Sequence, residues 1–201
     1  MGRHSIEPGA APRTRKPAPS GRLVWIVLLV SVGVLIVDQV TKFLAVHALS
    51  DGSRINLIAD WLTLYLVFNP GAAFSFASGA TWIFTIIALV VIAVVIRVAR
   101  QLGSVWWSVC LGLLLGGAGG NLIDRLFREP SFGQGHVVDF IAYGNFFVGN
   151  VADIAIVLAA VGIAMLAVLG IEIDGSRPSK STPPDDDPGP VRRESILPEN
   201  D

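Results

Sequence analysis

Between Leu23 and Val37 the chain is apolar except at Ser31 and Gly33, and the pattern continues as a helix through Asp38 to Leu49. A run of this kind dictates its own secondary structure. Hydrocarbon offers no water to backbone N–H and C=O groups, so the segment must be helical, and about 20 residues suffice to cross a bilayer. Three more such runs follow: Ala80–Val98, Val105 through the glycines to Arg125, and Val151–Ile171. With 52% hydrophobic residues among 201 and a mean hydropathy of +0.62, the chain is too apolar for an ordinary soluble domain. It reads as a four-span membrane protein. A cleaved leader also begins basic and then apolar, but here Asp38 and Lys42 stand where a small-residue cleavage site belongs.

Charge sets the orientation. Arg3, Arg13, Arg15, Lys16 and Arg22 precede the first span, Arg97 and Arg100 lie between the second and third, and Arg177, Lys180, Arg192 and Arg193 follow the fourth. They outnumber Lys42, Arg54, Arg125 and Arg128 on the other side, so both termini are expected in the cytoplasm and Asp38, Asp124 and Asp153 toward the outer leaflet. Residues 1–21, rich in Pro and Arg, and 172–201, rich in Pro, Asp and Ser, read as disordered cytoplasmic tails around a membrane domain at 22–171. A net charge of -1 gives no reason to expect a nucleic-acid partner. The single cysteine, Cys110, excludes an intramolecular disulfide and reads as a core thiol.

Two outer segments break the helical pattern. After the Asp51-Gly52-Ser53 turn, residues 61–68 alternate, with Trp61, Thr63, Tyr65 and Val67 on one side, and read as a strand at the interface. Asn69-Pro70-Gly71 then turns the chain, with Asn69 either capping the turn, meeting substrate, or both. In the second segment, His136–Phe140 reads as a short extended or turn segment and Tyr143–Val148 as an aromatic interfacial stretch. His136 has no second His or Cys at ligand spacing, so no metal site is expected.

The chemistry gathers at span ends. Gly116–Arg125, GGAGGNLIDR, closes the third span with Asn121, Asp124 and Arg125 at i, i+3 and i+4 on one face. Gly112, Gly116 and Gly120 form a small-residue packing face. The fourth span opens with the same Asn-x-x-Asp spacing, Asn150 to Asp153. A carboxylate at the end of a span is a functional-site hypothesis. Two of them can share one proton, one acting as base on a water and the other polarising a scissile carbonyl, which is aspartic-protease chemistry needing no cofactor. The expectation is therefore a dyad of Asp124 and Asp153, oriented by Asn121 and Asn150, with Asp124 at the C-terminal helix end carrying the shared proton. Asp38 and Lys42, at i and i+4, read as an ion pair capping the first span, with a role in holding the site or meeting head groups left open. Asp139 lacks the Asn-x-x-Asp context and reads as a hydrogen-bonded structural carboxylate.

Five blocks, DQVTK at 38–42, FNPGAAFS at 68–75, GGAGGNLIDR at 116–125, VVDF at 137–140 and NVADIAI at 150–156, resemble lipoprotein signal peptidase, the bacterial signal peptidase II, in that family's order over residues 22–171. The resemblance implies an all-α membrane protein of four transmembrane helices with a small extracytoplasmic β-sheet and a short mobile flap over the site. It implies an aspartic endopeptidase of the bacterial plasma membrane that cleaves diacylglyceryl-modified prolipoproteins just before the lipidated cysteine, among membrane lipids. Asp124 and Asp153 match the family's dyad, and Asp38, Lys42, Asn69, Asn121, Arg125, Asp139 and Asn150 match positions around it, while the small residues from Gly71 leave room for a peptide. One departure is Gly149, where the family usually has an aromatic, which is expected to loosen local packing. Two rival readings are a proton-coupled transporter, which predicts carboxylates spread through bilayer depth, and a structural subunit whose polar residues only bind helices together.

Overall fold

The computed structural model describes residues 21–71 and 81–176. The tails at 1–20 and 177–201, and the segment 72–80 with Ala72 and Ala73 and the ground expected for a flap, lie outside the described residues. The elements are α1 (Gly21–Leu49), β1 (Ile55–Ile58), β2 (Leu62–Asn69), α2 (Thr81–Ala99), α3 (Val105–Phe127), β3 (Val137–Tyr143), β4 (Phe147–Gly149) and α4 (Val151–Val168). All four helices are long and apolar enough to cross a membrane.

α3 is the centre, packing against α1, α4 and α2. Its mean hydropathy is 1.3, against 2.5, 2.7 and 2.6 for α1, α2 and α4, so the most polar helix is the one shielded from lipid. Glycines permit the approach. A Cβ on Gly112 would lie 2.8 Å from Val30 Cβ, one on Gly116 2.7 Å from the Ser31 carbonyl, and one on Gly117 2.6 Å from the Ala152 carbonyl. The Gly112/Gly116 edge thus meets α1, and the neighbouring Gly117 edge meets α4.

The four strands form one antiparallel sheet in the order β1-β2-β3-β4. Its β3 strand alternates: Val138 and Phe140 pack on Ala45 and Leu49 at the end of α1, so Asp139 projects from the opposite face. Val67 pairs with Asp139 and Asn69 with Val137, which sets Asn69 diagonally beside Asp139 on that face. α1 has 29 residues and is roughly 44 Å long at 1.5 Å per residue. That puts Asp38 and Lys42 about one hydrocarbon thickness from Gly21, at the sheet end of the bundle.

After α4 the chain stays against the bundle for several residues past the expected start of the tail. Gly103 N–H donates to the Ile173 carbonyl at 2.9 Å and Trp107 Nε1 to the Ile171 carbonyl at 2.9 Å. Cys110 is buried and free, and a Cβ on Gly162 would lie 2.6 Å from its Sγ.

Candidate active site

Polar side chains from α1, α3, β2, β3 and α4 converge beneath the sheet. Lys42 is fully buried, and its Nζ lies 2.9 Å from Asp38 Oδ2 and 2.8 Å from Asp124 Oδ2, and donates to Asn121 Oδ1 at 3.0 Å. Asp38 Oδ1 accepts the Ala152 N–H at 2.9 Å, so the α1 ion pair also satisfies a free amide at the start of α4. Gln39 Nε2 bonds Asp38 Oδ2 and the Gly120 carbonyl, each at 3.1 Å.

Asp124 is fully buried and held on both oxygens by cations. Arg128 Nε sits 2.6 Å from Oδ1, while Oδ2 takes Lys42 and the Val138 N–H at 3.2 Å. Asp153 is half-buried. Its Oδ1 accepts Asn121 Nδ2 at 2.9 Å and its Oδ2 the Asn150 N–H at 3.1 Å, while its own N–H donates to Asn150 Oδ1 at 3.0 Å. This reciprocal Asn150–Asp153 capping box starts α4. Asp124 and Asp153, expected to face each other, share no hydrogen bond among the described residues; Lys42 and Asn121 stand between them.

Asp139 belongs to the same network. Asn150 Nδ2 donates to its Oδ1 at 2.6 Å and Asn69 Nδ2 to its Oδ2 at 2.8 Å, while Asn69 Oδ1 accepts the Gly71 N–H at 2.8 Å. Asn150 Nδ2 also lies 3.2 Å from Asn121 Oδ1, which closes the link between the two Asn-x-x-Asp motifs. The Asp139 carboxyl is 2% exposed and pushed up to about 6. Burial is the main cause, the nearby Asp153 charge adds to it, and the bonds from Asn69 and Asn150 with the Lys42 charge oppose it.

Arg125 is 7% exposed, and the charges of Asp139, Asp124 and Asp153 all act on it. Its guanidinium lies 5.0 Å from the centre of the Phe84 ring at the start of α2, and its Nη1 has no hydrogen-bond partner among the described residues. Beside Gly71 (φ 101°) the same Phe84 ring lies so close that no Cβ would fit. Asp153 and Asn150 open onto a cavity of about 480 Å³ walled by Tyr143, Phe147, Ile154 and Val157. A Cβ on Gly149 would meet Phe147 Cε1 at 2.5 Å and Asp153 Oδ2 at 2.9 Å. The space beside Gly149 is therefore filled by Phe147, itself stacked on Tyr143 at 6.2 Å between ring centres, and packing there is not loose.

Sequence reasoning counted Arg128 only as an outer-side charge and gave Gln39 no role. Arg128 was readable in principle: the cap residue just past α3, it stands four residues beyond Asp124, an i, i+4 pair.

The carboxylates and their partners sit at one end of the bundle, around the sheet, a clustering that a transporter relay spread through bilayer depth does not predict. A family profile described as signal peptidase (SPase) II matches residues 30–169. The chain is 47% identical over 170 residues to a lipoprotein signal peptidase of Rhodococcus jostii, covering 84% of each chain. It is 45% identical over 168 residues to one of Mycobacterium tuberculosis, covering 84% of this chain and 83% of that one. A bacterial membrane enzyme solved at 1.9 Å superposes with a TM-score of 0.64 at 28% identity, over 72% of this chain and 94% of the other.

Proposed function

This chain belongs to the signal peptidase II family, a membrane protease that removes signal peptides from prolipoproteins, and from that premise we propose that Asp139 and Asp153 are its reactive pair. The observation that carries this is Asn150, which donates its side-chain amide to Asp139 and its backbone N–H to Asp153 and so ties the two carboxylates to one residue. Asp124, the partner expected from sequence, is instead engaged by Lys42 and Arg128, which suits an anchor between α1, α3 and β3.

The chemistry divides between the pair. Asp139, its carboxyl raised to about 6, holds the shared proton and donates it to the scissile carbonyl oxygen. Asp153, bordering the cavity, takes a proton from the attacking water. The tetrahedral diol then collapses as Asp153 returns that proton to the departing amine and Asp139 takes one back from a diol hydroxyl, which leaves the new carboxylic acid and restores the pair. Arg125 Nη1, without a hydrogen-bond partner among the described residues, suits a backbone carbonyl of the peptide. The substrate is a diacylglyceryl-modified prolipoprotein cut just before its lipidated cysteine. Its lipid stays in the outer leaflet of a bacterial plasma membrane, a reading supported by the site's distance of about one hydrocarbon thickness from Gly21 and by the excess of arginine on the side of the termini.

Purified variants tested on a diacylglyceryl-modified prolipoprotein decide the assignment. Asp139→Asn and Asp153→Asn should each lower cleavage by at least about 10²-fold with unfolding midpoints no lower than wild type. Asp124→Asn should lose stability and keep turnover in whatever fraction stays folded. A stably folded but inactive Asp124→Asn beside an active Asp139→Asn would restore the pairing first read from sequence.

A further inference from the structure

At the opposite end of the bundle, α1 and α2 leave a crevice of about 280 Å³ between them, backed by Leu115 of α3. Val24 and Leu28 form one wall and Ile96 and Ala99 the other, with Arg100 at its edge. Leu28 and Ile96 are 44% and 48% exposed, so the crevice opens on the lipid-facing surface. Beneath it, Val27, Val95 and Leu111 belong to a closed core, so the slot ends there.

An apolar slot in a bilayer does not by itself select an occupant, because lipid tails are as apolar as leucine. Selection comes from charge. Of the basic residues at this end, Arg100, just past α2, borders the slot, while helix periodicity turns Arg22 and Arg97 away from the faces of α1 and α2 that line it. All three are exposed, and none has an ion-pair partner among the described residues. A basic group at the rim of an interhelical slot on the cytoplasmic side matches an anionic headgroup whose acyl chain enters the slot. The geometry points to a site for one anionic phospholipid, with an acyl chain between α1 and α2 and its phosphate at Arg100. The lipid would bridge α1 and α2 at the end of the bundle away from the carboxylates, a role independent of which of them are reactive.

The full chain, purified in detergent, would be equilibrated with equal phosphatidylglycerol and phosphatidylcholine of the same acyl chains and the retained lipid read by native mass spectrometry. Wild type should retain one phosphatidylglycerol with a preference of about fivefold. Arg100→Gln should cut that preference severalfold. Ala99→Trp, which fills the slot with every arginine in place, should abolish retention, and Leu28→Trp should do the same from the other wall if Ala99→Trp fails to fold. Prolipoprotein cleavage by these variants should match wild type, which certifies their fold. Equal retention of the two lipids overturns the proposal. So does undiminished phosphatidylglycerol on a folded slot-filled variant, which would reduce the site to a diffuse basic surface, or displacement by glycerol phosphate as effective as by the intact lipid.

Discussion

Two carboxylates in this protein are buried to nearly the same degree and differ in what touches them: Asp124 meets two cations, Asp139 two amides. The difference governs stability as well as chemistry. Asp124→Asn leaves Lys42 buried with one carboxylate, and breaking a buried ion pair from one side costs about 3–5 kcal/mol. Denaturant unfolding in detergent should record that loss. Asp139 acts in the other direction. Its folded value of about 6 lies above the ordinary 3.8, so its contribution to stability is full below pH 3.8 and is lost as pH rises to about 6. The difference of roughly two pKa units corresponds to about 3 kcal/mol. Asp139→Asn cannot ionise, so above pH 6 it should be more stable than wild type by up to about 3 kcal/mol, less one hydrogen bond that its own amide cannot accept. Below pH 3.8 that charge-derived gain should vanish. Unfolding midpoints at pH 3.5 and pH 7 check this, and a difference unchanged between them would count against a perturbed carboxyl.

Among the elements, α3 carries the tightest constraint. Gly116→Val would drive a side chain into the Ser31 backbone and Val34, both 2.7 Å from the added Cβ. It should cost about 1–3 kcal/mol or unseat α1. Gly119→Ala, whose nearest contact is Leu35 Cδ1 at 3.4 Å, should be tolerated, and the two thermal midpoints together test the packing. The strands show how local pattern and tertiary context share the work. Alternation over 61–68 announces β2, and of the extended and turn forms open to the VVDF block it takes the extended one. The four residues of β1 carry too little pattern of their own and become a strand by pairing with β2.

For the whole molecule, the orientation in the bilayer can be checked directly. Cys110 is buried, so engineered surface cysteines can report without interference from it. Ser53→Cys, in the turn before β1, should react with a membrane-impermeant maleimide in intact cells. Gln101→Cys, in the α2–α3 connection, should react only after lysis. The reverse pattern would put the carboxylates on the cytoplasmic side.

The sequence by itself determined what depends on near neighbours. Hydropathy runs defined the four helices, and the Asn150 to Asp153 spacing set the two side chains one helical turn apart, where the structure closes them into a capping box. Which carboxylate meets which partner was decided only by the tertiary structure. Asp124 finds Lys42 across the α1–α3 contact that the glycines allow, and Asp139 obtains its asparagines from β2 and α4 through sheet register and helix docking. A motif shows which polar groups a segment carries; burial and long-range contact decide which of them are left ionised, neutral or free to react.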